Sequence, residues 1–110
     1  MGAEQQTIGE FEQMILLAIL QRKEDAYGVT IHEEIARHTP RPVARGAVYM
    51  TLDRLEKKGL LKSTLSDPTA ERGGRAKRCY LLTKSAVQAL KASRRTLLSL
   101  WNGLEPLLEK

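Results

Sequence analysis

Residues 43–59, VARGAVYMTLDRLEKKG, run without a break into LLKSTL at 60–65, and the chain returns through ERGGRAKR (71–78) to CYLLT (79–83). In the first stretch Val48, Leu52 and Leu55 recur at four- and three-residue spacing, which predicts a helix over 45–58 with those three side chains inward. Gly59 follows the last apolar position, where a helix ends most readily in the left-handed region. The segments 60–65 and 78–82 are too short for helices and are expected to pair as strands, with Asp67-Pro68 and Gly73-Gly74 punctuating the turn between them. A helix that passes directly into a two-stranded ribbon with a basic tip outlines a winged helix-turn-helix, the second helix of which is the one that reads duplex DNA.

Upstream, residues 8–22 read as a helix. Ile8, Phe11, Ile15 and Ala18 form one stripe, and Met14, Leu17 and Leu20 carry the apolar surface around most of the circumference. Such a helix needs cover on several sides, which in so short a chain points to a second subunit. Lys23, Glu24 and Asp25 form a charged turn with Asp25 placed to cap the next helix, expected over 27–38 and burying Tyr27, Ile31 and Ile35. Thr39-Pro40-Arg41-Pro42 ends it, because proline has no N–H and restricts the residue before it. Downstream, Thr83 caps a long helix to about residue 104. Its Val87, Leu90, Arg94, Leu97, Trp101, Leu104 and Leu108 follow a 3-4 spacing, the seam of a helix that packs along another helix. Gly103 and Pro106 weaken or end it. The expected architecture is mainly α with a small β-hairpin: a short N-terminal segment at 1–7, a winged helix-turn-helix at 8–82 and a C-terminal dimerisation helix at 83–110.

Charge is unevenly placed. Residues 1–40 carry three Lys or Arg against seven Asp or Glu, residues 41–95 fourteen against four, and residues 96–110 one against two. The positive charge therefore sits on the segment with the helix–wing pattern, the footprint expected of a nucleic-acid reader. On the presumed second helix, Arg45, Gly46, Tyr49, Met50 and Arg54 face outward near the start. Arg45 can make a bidentate pair with guanine, and Tyr49 can touch a thymine methyl or a phosphate, or serve as a structural aromatic under the wing. Gly46 and the free N–H groups of a helix start suit close approach to a phosphate, with Arg41 in the preceding turn a further phosphate contact. At the wing, Arg72, Arg75, Lys77 and Arg78 surround two glycines and repel one another unless a polyanion lies near. Lys57, Lys58 and Lys62 are expected to face solvent or outer phosphates.

Other classes are disfavoured. The 42% hydrophobic content with 5% aromatics suits a helical core of aliphatic residues. The single Cys79 allows no internal disulfide and suits a reducing, cytoplasmic setting; a small buried filler is the expected role. The longest apolar run, residues 14–20, is too short to span a bilayer, so no membrane partner is expected. His32 and His38 lie six apart on one helix, hence on different faces, and no metal spacing, cofactor loop or nucleophile motif appears. Neither cofactor nor catalysis is expected.

Four stretches, GEFEQMILLAIL (9–20), DAYGVTIHEEI (25–35), RGAVYMTLDRLEKKGLL (45–61) and GGRAKRCYLLT (73–83), together resemble the PadR family of bacterial transcriptional regulators in its short form with a single C-terminal helix. The resemblance implies a homodimer held by the last helix with help from the first, repression through a two-fold operator, and in some relatives release of DNA by a small aromatic compound near the dimer interface. Phe11, Val87, Leu90, Leu97, Trp101 and Leu104 are the expected interface residues. Trp101 is also the candidate ligand contact, since two copies of it can sandwich a planar molecule; filling the interface core is the other role open to it. Three positions depart from the family pattern: Ala44 replaces a capping hydroxyl, Met50 stands where many relatives have proline, and Cys79 replaces a common aromatic.

Overall fold

The computed structural model describes residues 7–65 and 77–108. Helix α1 (Glu10–Arg22) opens with Glu10 and Glu12 in its first turn, where carboxylates meet the positive end of the helix dipole. The Gly9 N–H donates to Glu12 Oε1 at 3.0 Å, satisfying one orphan amide. The buried face of α1 is Ile15, Leu16, Ala18 and Ile19, with Phe11 and Met14 partly covered, while Leu17 and Leu20 face solvent.

A single 3-10 turn, Lys23–Asp25, connects to α2 (Gly28–His38). Asp25 is not the capping residue the sequence suggested: its carboxylate pairs with Arg22 at 3.6 Å, and Tyr27 occupies the cap position. Thr30 closes the turn instead, accepting from the Tyr27 N–H at 3.1 Å and donating to the Asp25 carbonyl. The extra turn moves the helix start downstream and leaves Tyr27 half-buried, with Ala26 taking the core place expected of it. Ile31 and Ile35 are buried as expected.

Helix α3 (Arg45–Lys57) buries Val48, Thr51, Leu52 and Leu55. It ends in a Schellman arrangement: Gly59 sits at φ +81°, Gly59 N–H donates to Glu56 O at 3.0 Å, and Leu60 N–H donates to Leu55 O at 2.9 Å. The chain then enters β1 (Leu61–Leu65), which pairs antiparallel with β2 (Arg78–Leu82) in a register that sets Ser63 opposite Tyr80. Leu61 and Tyr80 are buried, whereas Leu65 and Arg78, further along the same face, are exposed, so the hairpin leaves the core towards its tip. Burial pushes the Tyr80 phenol above its ordinary pKa. A third short edge is added where Tyr80 N–H donates to Ala26 O at 2.9 Å and Tyr27 bridges Cys79. Cys79 is half-buried at this junction, not the fully buried filler expected; Tyr80 fills the core.

Helix α4 (Lys84–Trp101) begins at Thr83, whose hydroxyl accepts from Ala86 N–H at 3.3 Å and donates to Gly59 O at 2.8 Å. Its first turns belong to the domain core: Ala86 and Ala89 are buried, Leu90 packs against the same cluster, and Ser93 donates to Gln13 of α1 at 3.1 Å. The break between core and projecting helix therefore falls near Ser93, inside α4. Beyond it every described residue is exposed. Gly103 at φ +83° ends the helix after Trp101, short of the expected 104, and a last turn, α5 (Glu105–Leu108), follows. The radius of gyration of 16.1 Å exceeds the roughly 13 Å of a compact chain of this length, which reflects the projecting helix.

Candidate nucleic-acid interface

The outward face of α3 is set by what its inward face buries. With Val48, Thr51, Leu52 and Leu55 inside, the axis of the exposed side runs through Gly46, Met50, Asp53 and Lys57. Arg45 and Arg54 flank it on opposite edges, since nine residues is about two and a half turns. The Arg45 side chain is exposed and forms no ion pair among the described residues. Met50 is 69% exposed, and a Cβ added at Gly46 would meet nothing within 4 Å, so the start of the helix offers an open surface. Ala44 supplies no side-chain cap there, which leaves first-turn amides available to an anion.

Arg54 is placed differently from Arg45. Its Nε lies 3.3 Å from Glu12 Oε2 on α1, and the guanidinium also donates to Thr51 Oγ1 at 3.4 Å. Lys58, expected to face solvent or phosphate, instead joins the same carboxylate at 3.2 Å. Glu12 is 8% exposed; burial raises its pKa, but the Gly9 amide, Lys58 and Arg54 outweigh that and hold it below the ordinary carboxylate value. These two cations anchor α3 to α1. Lys57 pairs with Asp53 one turn back at 3.2 Å, and both remain exposed.

Tyr49 is half-exposed, and its ring lies across Gly28 at the start of α2: a Cβ at position 28 would come 2.2 Å from Tyr49 Cε1. The ring is therefore a packing element between the paired helices and also presents an edge to solvent. Arg41, in the turn between them, is exposed and reaches Glu10 at 3.8 Å.

On the hairpin, Arg78 donates to Ser63 Oγ at 2.9 Å, and Ser63 donates to Glu56 Oε2 of α3 at 2.7 Å. This relay ties the base of the wing to the back of the reading helix. Lys77 sits 4.3 Å over the Tyr27 ring and 3.2 Å from its hydroxyl, a cation–π contact that holds β2 to the start of α2. Arg72 and Arg75 lie outside the described residues. The structure thus brings Arg45, Gly46, Tyr49 and Met50 to one face, with Arg41 beside the helix start and Lys77 and Arg78 on the hairpin.

Two features escaped the sequence. His32 reaches across from α2 to the turn before α3, with Nε2 2.7 Å from Val43 O. Glu34 gathers Arg22 at 2.9 Å, Arg37 at 3.2 Å and His38 at 2.9 Å, and the His38 bond leads the contacts that hold its carboxyl below the ordinary value. Both are contacts between distant or one-turn neighbours of mixed type, for which periodicity carries no signal. On α4, Val87, Leu97 and Trp101 are exposed as an interface would require, together with Leu104 beyond the break, whereas Leu90 and Phe11 are partly taken up by the chain's own core.

No helix among the described residues is long and apolar enough to cross a membrane, and no cluster of three or more metal-ligating side chains occurs among them. The solved structures that share this fold include PadR-type regulators. One from Clostridium difficile R20291 has TM-score 0.72 at 22% identity, over 89% of this chain and 98% of that one. One from Bacillus cereus ATCC 14579 has TM-score 0.71 at 24% identity, over 91% and 92%. One from Eggerthella lenta DSM 2243 has TM-score 0.65 at 26% identity, over 92% and 88%. No functionally curated protein matches the sequence. The family model for "Transcriptional regulator PadR-like family" matches residues 16–92, from the middle of α1 through the hairpin into α4. With the helix pair, the basic hairpin and this match in agreement, the chain belongs to the PadR-like family of transcriptional regulators and is not an enzyme.

Proposed function

We propose that the protein is a homodimeric, sequence-specific repressor that binds a two-fold operator. The observation that carries this reading is the open start of α3, where Arg45 stands exposed, without an ion pair among the described residues, beside uncapped amides and Gly46. In this reading Arg45 contacts a guanine edge, Tyr49 and Met50 touch base or sugar surface, and Arg41, Lys77 and Arg78, with Arg72 and Arg75 at the wing, neutralise phosphates. Arg54 is left to its structural pair with Glu12. Two copies joined along α4 place two reading helices in successive major grooves, about one helical turn of DNA apart. The apolar surface that supports pairing is Leu97, Leu98, Leu100, Trp101, Leu104, Leu107 and Leu108, all exposed in the single chain. Occupancy of an operator by such a dimer excludes polymerase where the site overlaps a promoter.

The test is selection of bound duplexes from a random pool at roughly 0.15 M salt, followed by a salt titration on the enriched sequence. A palindromic site with a log–log slope of roughly −5 to −9, from about 6–10 phosphate contacts per dimer, is the expected result. No enrichment from a dimeric protein would favour a winged helix that binds protein instead. A second reading adds a ligand: Trp101 is 47% exposed on the same seam, so a paired Trp101 can hold a planar aromatic compound, and quenching of its fluorescence by such compounds is the check.

A further inference from the structure

The turn into the reading helix is held from outside its own element. His32 Nε2 lies 2.7 Å from the carbonyl oxygen of Val43, and because a carbonyl only accepts, the ring nitrogen is the donor. Val43 stands two residues ahead of Arg45. The Val43 side chain packs partly against the core, but no side chain holds the helix start itself: Ala44 offers no capping group, and a Cβ at Gly46 would meet open space. Pro40 and Pro42 restrict the dihedrals of the turn but cannot set where it lies against the domain. The second contact comes from the same face of α2. Gly28, one turn before His32, is the surface on which the Tyr49 ring rests. Two positions four residues apart on α2 therefore touch the recognition segment at Val43, before the helix, and at Tyr49, within it.

We infer that His32 is a positioning residue for base reading: its hydrogen bond to the Val43 carbonyl ties the turn to α2 and fixes where the Arg45 backbone sits relative to the domain. The inference rests on the proposed role of Arg45. A bidentate arginine–guanine pair needs two hydrogen bonds formed together, each near 3 Å, so a small shift of the helix start removes it. Phosphate contacts made by long cationic side chains tolerate such a shift. Loss of the His32 bond thus erodes discrimination between sequences before it erodes overall DNA affinity.

The test compares the full-length protein with His32→Ala and His32→Leu, the latter filling the space without a donor. Affinity is measured for the duplex enriched by selection and for a random duplex at one salt concentration, together with amide hydrogen exchange of the free protein. Expected is a fall in the enriched-to-random affinity ratio on the order of tenfold, the share of one bidentate contact, with random-duplex affinity changed less than about twofold. The amides of Gly46, Ala47 and Val48 should exchange faster while those of Leu52 and Leu55 keep their protection. His32→Gln, whose amide can donate over a similar reach, should restore much of the ratio. An unchanged ratio in His32→Leu, a proportional loss on both duplexes, or faster exchange throughout the domain would overturn the inference. If Arg45→Ala leaves the ratio unchanged while His32→Leu still speeds exchange at Gly46 to Val48, the reading of Arg45 fails and the hold on the turn stands.

Discussion

Glu12 on α1 and Lys58 at the end of α3 meet at 3.2 Å across 46 positions of sequence, and Arg54 completes the group at 3.3 Å. A carboxylate placed in the first turn of one helix thereby fixes the roll of the other. Glu12→Gln keeps the volume but removes the charge that two cations share. Charged hydrogen bonds contribute about 1.5–3 kcal/mol when sheltered, and the partial exposure of Arg54 discounts that, so a loss of about 1–2 kcal/mol is expected. Urea unfolding with an unchanged slope checks it; a midpoint equal to wild type would mean the group contributes only to orientation.

The same carboxylate gives the fold an acid limit. Glu12 and Glu34 both have folded pKa values held below the ordinary 4.5. A depressed folded pKa contributes stability that is fully present above the unfolded value and is lost as pH falls through the folded one. Stability should therefore be level near neutrality on account of these groups and decline below about pH 4.5. Thermal unfolding from pH 7 to 3 measures the decline, and Glu12→Gln should flatten it.

At Gly28 the Tyr49 ring occupies the place a side chain would take. Gly28→Ala in an ordinary helix adds about 1 kcal/mol of helix propensity, but here the ring must move and overpacking of this kind costs about 1–3 kcal/mol. The single variant should be destabilised. In a Tyr49→Ala background the same change should turn neutral or stabilising. A double-mutant cycle with no coupling between the two positions would remove this account.

Where local chemistry decides, the sequence was readable. Gly59, Thr83 and the 48-52-55 stripe place the end of α3, the start of α4 and the buried face as expected, because a left-handed cap, a capping hydroxyl and a helical period are properties of a few adjacent residues. Where two local solutions competed, it was not. Asp25 and Thr30 can both close a helix start; Thr30 does so beside residues 26–27, which pair with β2, a tertiary contact that adjacent residues do not encode. Arg54 and Arg45 look alike in sequence, and only the packing of α1 separates an anchored arginine from an open one. His32 gave no signal, since its partner is a backbone carbonyl in another element.

The projecting half of α4 bears on assembly. Leu97 is exposed and makes no part of the buried core, so Leu97→Glu should leave the monomer fold intact. It would place a carboxylate in the proposed seam, where an unpaired buried charge costs several kcal/mol. Light scattering should show a shift from dimer towards monomer with unchanged helicity by circular dichroism. Retention of the dimer would move the interface off this face.

Arg45 and Arg41 lie close in sequence and separate two kinds of DNA contact. Arg45 stands at the start of the reading helix without an ion pair among the described residues, whereas Arg41 sits in the proline-flanked turn and reaches Glu10 at 3.8 Å. A base contact made by a bidentate arginine discriminates by about 1–3 kcal/mol, while a phosphate contact carries no sequence information. Arg45→Ala should therefore weaken binding to the enriched site far more than to random DNA. Arg41→Ala should weaken both alike and make the log–log salt slope shallower by about one per subunit. Measured side by side, the two variants distinguish reading from anchoring. If Arg45→Ala behaved like Arg41→Ala, Tyr49 and Met50, large side chains exposed near the start of α3, would be the next candidates for the base contact.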